Sequence, residues 1–332
     1  MIWVAVDAMG GDFAPRYVVD GALAAARHFD LGVALVGPTA VLDAELRRHR
    51  RVDSRRLRVI DAPDVVTMDE APSAALRRKP GASIRVAAEA VARGEASGLF
   101  SAGHTGATVM AAHAAFGMLP GVDRPALAAT IPTRRRPAVL LDVGASVECR
   151  PQHLFQFAVM GSRYVRIAFG IESPRVGLLS IGEEATKGNE LTREAHRLLK
   201  AAAIAFIGNV EARDLYGGLA DVIVCDGFTG NVVLKTSEGF VELIEAELSS
   251  TFTTRIGSLL TRRALRHFRR RVDYSEYGGA PLLGVAGVAI VGHGRSNAKA
   301  VRNAVAMAYR FAAERFIERI ERDIAAAAVS HQ

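Results

Sequence analysis

The feature that most constrains this chain is an alternation sustained from end to end. Short apolar, β-branched runs occur at residues 2–6, 33–36, 57–60, 98–101, 126–131, 138–142, 175–181, 205–208, 222–225 and 288–291. Longer Ala/Leu-rich stretches with helical spacing separate most of them, for example at 16–28, 83–93, 106–116, 152–169, 189–202 and 296–328. This alternation is the signature of parallel or mixed sheets covered by helices on both faces. The fold class expected is therefore α/β: a three-layer α/β/α arrangement around a mixed, mostly parallel sheet. Residues 132–137 (PTRRRP) are too short to hold a crossover helix, so 126–131 and 138–142 should form a local antiparallel hairpin. Residues 228–272 break the rhythm with a long helical pattern and no strand. Two helices turning near 249–251 are expected there, projecting from the body to meet a partner subunit, with an ordinary pair of core helices as the alternative. No fixed-period repeat or Ser/Gly-rich linker divides the rest. The expectation is one domain over 1–332 with the helical excursion at 228–272.

Composition enters as a set of exclusions. Half of the 332 residues are hydrophobic and 23% are charged, which excludes a disordered or collagenous chain. No apolar run approaches the roughly 18–20 residues needed to cross a bilayer. The start, MIWVAVD, lacks both the basic region and the apolar stretch of a signal peptide. Two cysteines cannot form a disulfide framework, and a reduced, cytoplasmic setting is expected. Lys and Arg number 42 against 35 Asp and Glu, a difference of +7. Residues 252–272 (FTTRIGSLLTRRALRHFRRRV) hold seven Arg and no acid, so 42 − 7 leaves 35 against 35 elsewhere. One basic segment on a neutral body argues for an anionic partner surface rather than nucleic acid.

Six loops following strand candidates are rich in glycine and small polar residues: 7–12 (DAMGGD), 101–107 (SAGHTGA), 142–146 (DVGAS), 182–189 (GEEATKGN), 226–231 (DGFTGN) and 292–297 (GHGRSN). Glycine lets backbone N–H groups approach an anion, and the helix dipole behind each loop favours negative charge. A phosphate or carboxylate site beyond the carboxyl ends of the strands is expected. The usual nucleotide fingerprints are missing: there is no G-x-x-x-x-G-K-[ST], and 292–297 carries only half of G-x-G-x-x-G. The nine histidines have no metal-ligand spacing, so no metal and no cofactor is expected, with Mg²⁺ on Asp7, Asp12 and Asp226 as a minor alternative. Cys225 ends an apolar strand and reads as a small core residue. No Gly-x-Ser-x-Gly or Ser–Lys pair offers covalent acyl transfer.

The same loops carry a resemblance. The strings AVDAMGGDFAP at 5–15, PRVGLL at 174–179, KGN at 187–189, GNVE at 208–211, VCDGFTGNVVLK at 224–235, YGGAPLLG at 277–284 and GHG at 292–294 resemble, in order and over nearly the whole chain, the PlsX family of acyl-ACP:phosphate acyltransferases. His104, Ser146 and Ser180 stand where the family pattern has Asn. The resemblance implies a homodimeric enzyme at the inner face of the membrane that moves a fatty acyl group from acyl carrier protein to inorganic phosphate. A downstream glycerol-3-phosphate acyltransferase would use the product. The implied fold is the one shared with phosphotransacetylases and isocitrate/isopropylmalate dehydrogenases.

The residues fit that chemistry without a covalent intermediate. Phosphate attacks the thioester carbonyl, so the protein must hold the anion and stabilise the developing oxyanion. The groups expected to bind phosphate are Asp7, Gly10, Gly11, Asp12, Gly103, His104, Thr105, Gly106, Asp226, Gly227, Thr229, Gly230, His293, Ser296 and Asn297. Lys187 and Asn231 are expected to serve the oxyanion, against the alternatives of a solvated lysine and a helix cap. Arg262, Arg263, Arg266, Phe268, Arg269, Arg270 and Arg271 are expected to touch anionic lipid or the acidic carrier protein. Two other readings stay open, a short-chain acyl-CoA phosphotransacylase and a membrane-surface or nucleic-acid-binding module.

Overall fold

The structure is a computed structural model and describes residues 1–49, 53–250 and 277–329. The chain forms two compact units, Met1–Leu127 with Tyr277–Gln332, and Ala128–Glu276.

In the first unit, β1 (Ile2–Asp7) lies between β2 (Leu31–Gly37) and β4 (Gly98–Ser101) and is parallel to both. β3 (Leu57–Asp61) extends the sheet beyond β2, and β11 (Ala289–Val291) pairs in parallel with β4. β10 (Ala280–Leu283) is antiparallel both to β11 and to the first two residues of β5 (Ala126–Ile131). Every residue of β2 is buried, as expected of a parallel strand covered on both faces. Two pairs of helices cover this sheet. α1 (Arg16–His28) packs on α9 (Ala298–Ala313), and α4 (Ser83–Ala92) packs on α5 (Thr105–Phe116). α1 buries Val18, Val19, Ala22, Leu23 and Ala26, a stripe at helical spacing that explains why this stretch is a helix.

In the second unit, the remaining residues of β5 run antiparallel to β6 (Ala138–Leu141), with Ala129 opposite Leu140. The expected hairpin is present. β9 (Val222–Val224) pairs in parallel with β6, β7 (Arg175–Leu179) with β9, and β8 (Ala205–Val210) with β7. α6 (Pro151–Phe169) and α7 (Glu190–Lys200) pack on these strands, and α8 (Gly227–Ser250) follows β9. The sheet is mixed and mostly parallel, as expected.

Three features depart from the sequence reading. β10 was not foreseen, because Pro281 and the preceding Gly278-Gly279 disguise it. Two short helices, α2 (Thr39–Leu46) and α3 (Pro72–Arg78), were also not foreseen. The stretch 296–328, expected as one helix, is two: α9 ends at Ala313 and α10 (Phe316–Val329) restarts after Arg315, whose φ is +52°. Phe311 and Phe316 are both buried and stack at 4.3 Å across this break, so packing turns the chain where no Gly or Pro marks it. α8 runs to Ser250, and the second helix expected before 272 falls outside the described residues.

Candidate active site

The strand order sorts the six loops into two sets of three. In the first unit, β1, β4 and β11 are adjacent and parallel, so 7–12, 101–107 and 292–297 leave the sheet side by side. In the second unit, β6, β9 and β7 are adjacent and parallel, which brings together 142–146, 226–231 and 182–189. Each set is the arrangement in which open α/β sheets bind ligands.

The loops of the first unit are tied to one another. The Asp12 amide donates to Gly294 O at 2.8 Å, and the Gly292 amide to Ser101 O at 2.7 Å. Asp7 is buried at the end of β1, where Ser101 Oγ donates to its Oδ2 at 2.7 Å. Burial pushes this carboxyl up, and hydrogen bonds from Ser83, Ser101 and the Met9 amide pull it partly back. Gly10 and Gly103 pass so close that a Cβ on Gly10 would stand 2.7 Å from Gly103 N, a contact only glycine permits. The Gly103 amide itself donates to Ser101 Oγ at 3.1 Å, so it serves the loop's own geometry. His104 caps α5, its Nδ1 accepting from the Gly106 amide at 3.1 Å, with Thr105 the first helical residue. The imidazole thus does the capping work that an Asn could do there. His293 Nδ1 accepts from the Arg295 amide at 3.1 Å, and Asn297 caps α9 through Ala300 N at 2.9 Å. Ser296, between them, is buried, and its hydroxyl has no partner among the described residues. Gly11 adopts φ +105° beneath Gly294.

The second unit is organised by Asp142, which the sequence reading placed in a loop but not among the site residues. Its carboxylate accepts from the amides of Gly144 and Ala145 on Oδ1, both at 3.0 Å, and of Ser146 on Oδ2 at 2.6 Å. The signal was an acid ending an apolar strand before a Gly/Ala/Ser turn. The Gly227 amide donates to Ser146 O at 2.9 Å and joins the next loop to this turn. Gly230 lies directly on Asp142 O, where a Cβ would collide. Asp226 caps α8, accepting from Thr229 N at 2.9 Å and from Thr229 Oγ1 at 2.7 Å. Asn231 therefore sits in the second turn of α8, exposed, and is not its cap. Its side chain lies over the Asp142 turn, 3.8 Å from where a Cβ on Gly144 would be. Lys187 is exposed on the third loop of this set, its stem against Gly182, and its amide donates to Glu184 O at 3.0 Å. Asn189 caps α7. Ser180 Oγ is buried close to Gly188, without a partner among the described residues. Cys225 is 3% exposed, burial pushes its thiol well up, the Asp226 and Asp142 charges push it further, and Sγ donates to Asp142 O.

Arg262, Arg263, Arg266, Phe268, Arg269, Arg270 and Arg271 lie outside the described residues. Among the described residues, no three His, Cys, Asp or Glu side chains group as a metal site. No described helix is long and apolar enough to cross a membrane.

Solved structures share this fold. The phosphotransacetylase of Streptococcus pyogenes matches with a TM-score of 0.65 at 17% identity, over 94% of each chain. A 4-hydroxythreonine-4-phosphate dehydrogenase from Klebsiella pneumoniae matches with a TM-score of 0.54 at 14% identity, over 94% of this chain and 99% of the other. At these identities the likeness is one of fold. Sequence relatives are much nearer. A phosphate acyltransferase of Nitratidesulfovibrio vulgaris is 52% identical over 328 residues, 97% of this chain and 95% of its own. One from Acidobacterium capsulatum is 48% identical over 332 residues, 99% of this chain and 98% of its own. The family described as "Fatty acid synthesis protein" matches residues 2–319. The chain therefore belongs to this family of fatty acid synthesis proteins, the PlsX phosphate acyltransferases, and is an acyltransferase.

Proposed function

We propose that the chain transfers a fatty acyl group from acyl carrier protein to inorganic phosphate, giving acyl phosphate for phospholipid synthesis. A phosphate oxygen forms the new bond to the carbonyl carbon, the C–S bond breaks, and the carrier leaves as thiolate. With a thiol pKa near 8.5, that leaving group needs little acid assistance. The observation that carries this reading is the gathering of glycine loops and helix N-termini at the carboxyl ends of adjacent parallel strands, in a chain of this family. Cys225 supports attack by phosphate rather than by the protein, because a buried thiol with a raised pKa is a poor nucleophile.

The roles follow. The first unit's loops would hold phosphate, while Asp226, Gly227, Thr229 and Gly230 would shape the start of α8 in the second. The Lys187 ammonium and the Asn231 amide would serve the oxyanion. The carrier protein, an anionic membrane surface and a second copy of the chain are the partners proposed. The protein would then work in the cytoplasm against the inner face of the membrane, with no cofactor.

The test is thiol release from palmitoyl-ACP with and without inorganic phosphate, beside the same assay on acetyl- and butyryl-CoA. Phosphate-dependent release from palmitoyl-ACP is expected. Release only from the short acyl-CoA substrates would replace this reading with a short-chain phosphotransacylase.

A further inference from the structure

Asp7 ends β1 beneath the first unit's loops, 3% exposed, and different elements hold its two oxygens. Ser101 Oγ, fully buried at the end of β4, donates to Oδ2 at 2.7 Å, while the Met9 amide donates to Oδ1 at 3.3 Å. Chemistry fixes the direction of the relay. An amide can only donate, so Ser101 Oγ accepts from Gly103 N at 3.1 Å and sends its own proton to Asp7. Gly10 lies over the carboxyl, where a Cβ would stand 2.8 Å from Oδ2 and 2.7 Å from Gly103 N. Two glycine loops therefore hang on one buried carboxyl, and among the described residues no cation pairs with it.

We propose that Asp7 and Ser101 are positioning residues that set the spacing of the 7–12 and 101–107 loops, and through it the first unit's affinity for phosphate. This inference rests on the assignment of those loops to phosphate. The physical ground is the close approach of Gly10 to Gly103. The Gly103 amide bonds Ser101 Oγ, and Gly10 packs so tightly on the Asp7–Ser101 pair that a Cβ there would stand 2.8 Å from Asp7 Oδ2 and 3.0 Å from Ser101 Oγ, so loss of that bond frees the loops to separate. Amides aimed at an anion lose most of their value when their spacing relaxes, because a preorganised cradle then has to be ordered by the ligand.

The experiment uses the full chain with Ser101→Ala and, separately, Asp7→Asn, which keeps the volume but presents an amide to Ser101. Phosphate KM and palmitoyl-ACP KM are read in the thiol-release assay, and thermal unfolding is followed with and without inorganic phosphate. Phosphate KM is expected to rise about tenfold or more, the size of one lost hydrogen bond to a charged group. Palmitoyl-ACP KM should stay within about twofold, since the change is confined to one substrate. The rise in Tm that phosphate gives the wild type should shrink in step. A folded variant with wild-type phosphate KM and a wild-type phosphate-induced Tm rise would overturn the inference, even if its Tm in buffer is lower. Should one variant not fold, the other decides. Wild-type protein that releases no thiol in response to phosphate sinks the reaction assigned above, whereas the phosphate-induced Tm rise and its loss in the variants would still judge the relay.

Discussion

Lys187 and Asn231 differ in what holds them, and that difference decides how their substitutions should read. Lys187 is an exposed side chain on a loop whose backbone bonds do not involve its ammonium. Lys187→Ala should therefore lower kcat by about 10²–10³, the usual loss for one oxyanion donor, while Tm stays that of the wild type. Wild-type kcat in the purified variant would make Lys187 a surface lysine. Asn231 is separable from structure for another reason: Asp226, not Asn231, caps α8. Asn231→Ala should lower kcat with little change in Tm. Asp226→Ala should cost about 1 kcal/mol of stability through the lost cap. Paired melting curves and kcat values distinguish the two, and a Tm drop in Asn231→Ala with unchanged kcat would refute its catalytic assignment. Of these residues the sequence showed identity and loop membership. It did not show that Gly103's amide bonds Ser101 or that Asp142 collects three amides, because neither bond has a local pattern.

At the scale of elements, periodicity was legible wherever burial was strong and continuous. β1, β2, β4 and the β5–β6 hairpin appear as short apolar runs because both faces or one face of each is buried, and α1 shows its stripe. The misses have physical causes. β10 contains a proline, α2 and α3 bury only Leu42 and Ala75, and the α9–α10 break depends on Phe311 stacking on Phe316. One ion pair ties three elements of the second unit and gives a pH test. Asp221, just before β9, is buried, and burial alone would raise its carboxyl. The side chain of Arg175 at the start of β7, hydrogen-bonding at 2.9 and 3.0 Å, the Arg175 amide and the charges of Arg175 and Arg136 outweigh that and hold it low. A depressed carboxyl stabilises the fold above the unfolded pKa of about 4 and loses that contribution as pH falls through the folded pKa. Asp221→Asn should accordingly cost about 2 kcal/mol at pH 7, and the gap to wild type should narrow below pH 4. Urea unfolding at pH 7 and pH 3 measures it; a gap of constant size would remove the ionised pair as the cause.

For the whole molecule, sequence order conceals what topology assembles: loops separated by up to nearly the full chain, such as 7–12 and 292–297, become neighbours because β4 lies between β1 and β11. Charge, by contrast, is legible without any structure. The net +7 equals the seven Arg of residues 252–272, a segment outside the described residues, and four of them are Arg266, Arg269, Arg270 and Arg271. Replacing these four with Gln takes the net charge from +7 to +3, since 7 − 4 = 3, and leaves the neutral remainder untouched. Near an anionic surface each arginine contributes about 1 kcal/mol, screened beyond about 8 Å at physiological salt. Flotation with anionic vesicles should fall steeply for the variant at low salt. At high salt, wild type and variant should float alike, because screening removes the charge term and leaves whatever apolar side chains of the segment supply. Unchanged Tm and an unchanged phosphate KM would show that the body is intact. Equal flotation at low salt would end the membrane assignment. Intact flotation with activity lost only on acyl-ACP would instead place the carrier protein, not lipid, on these arginines.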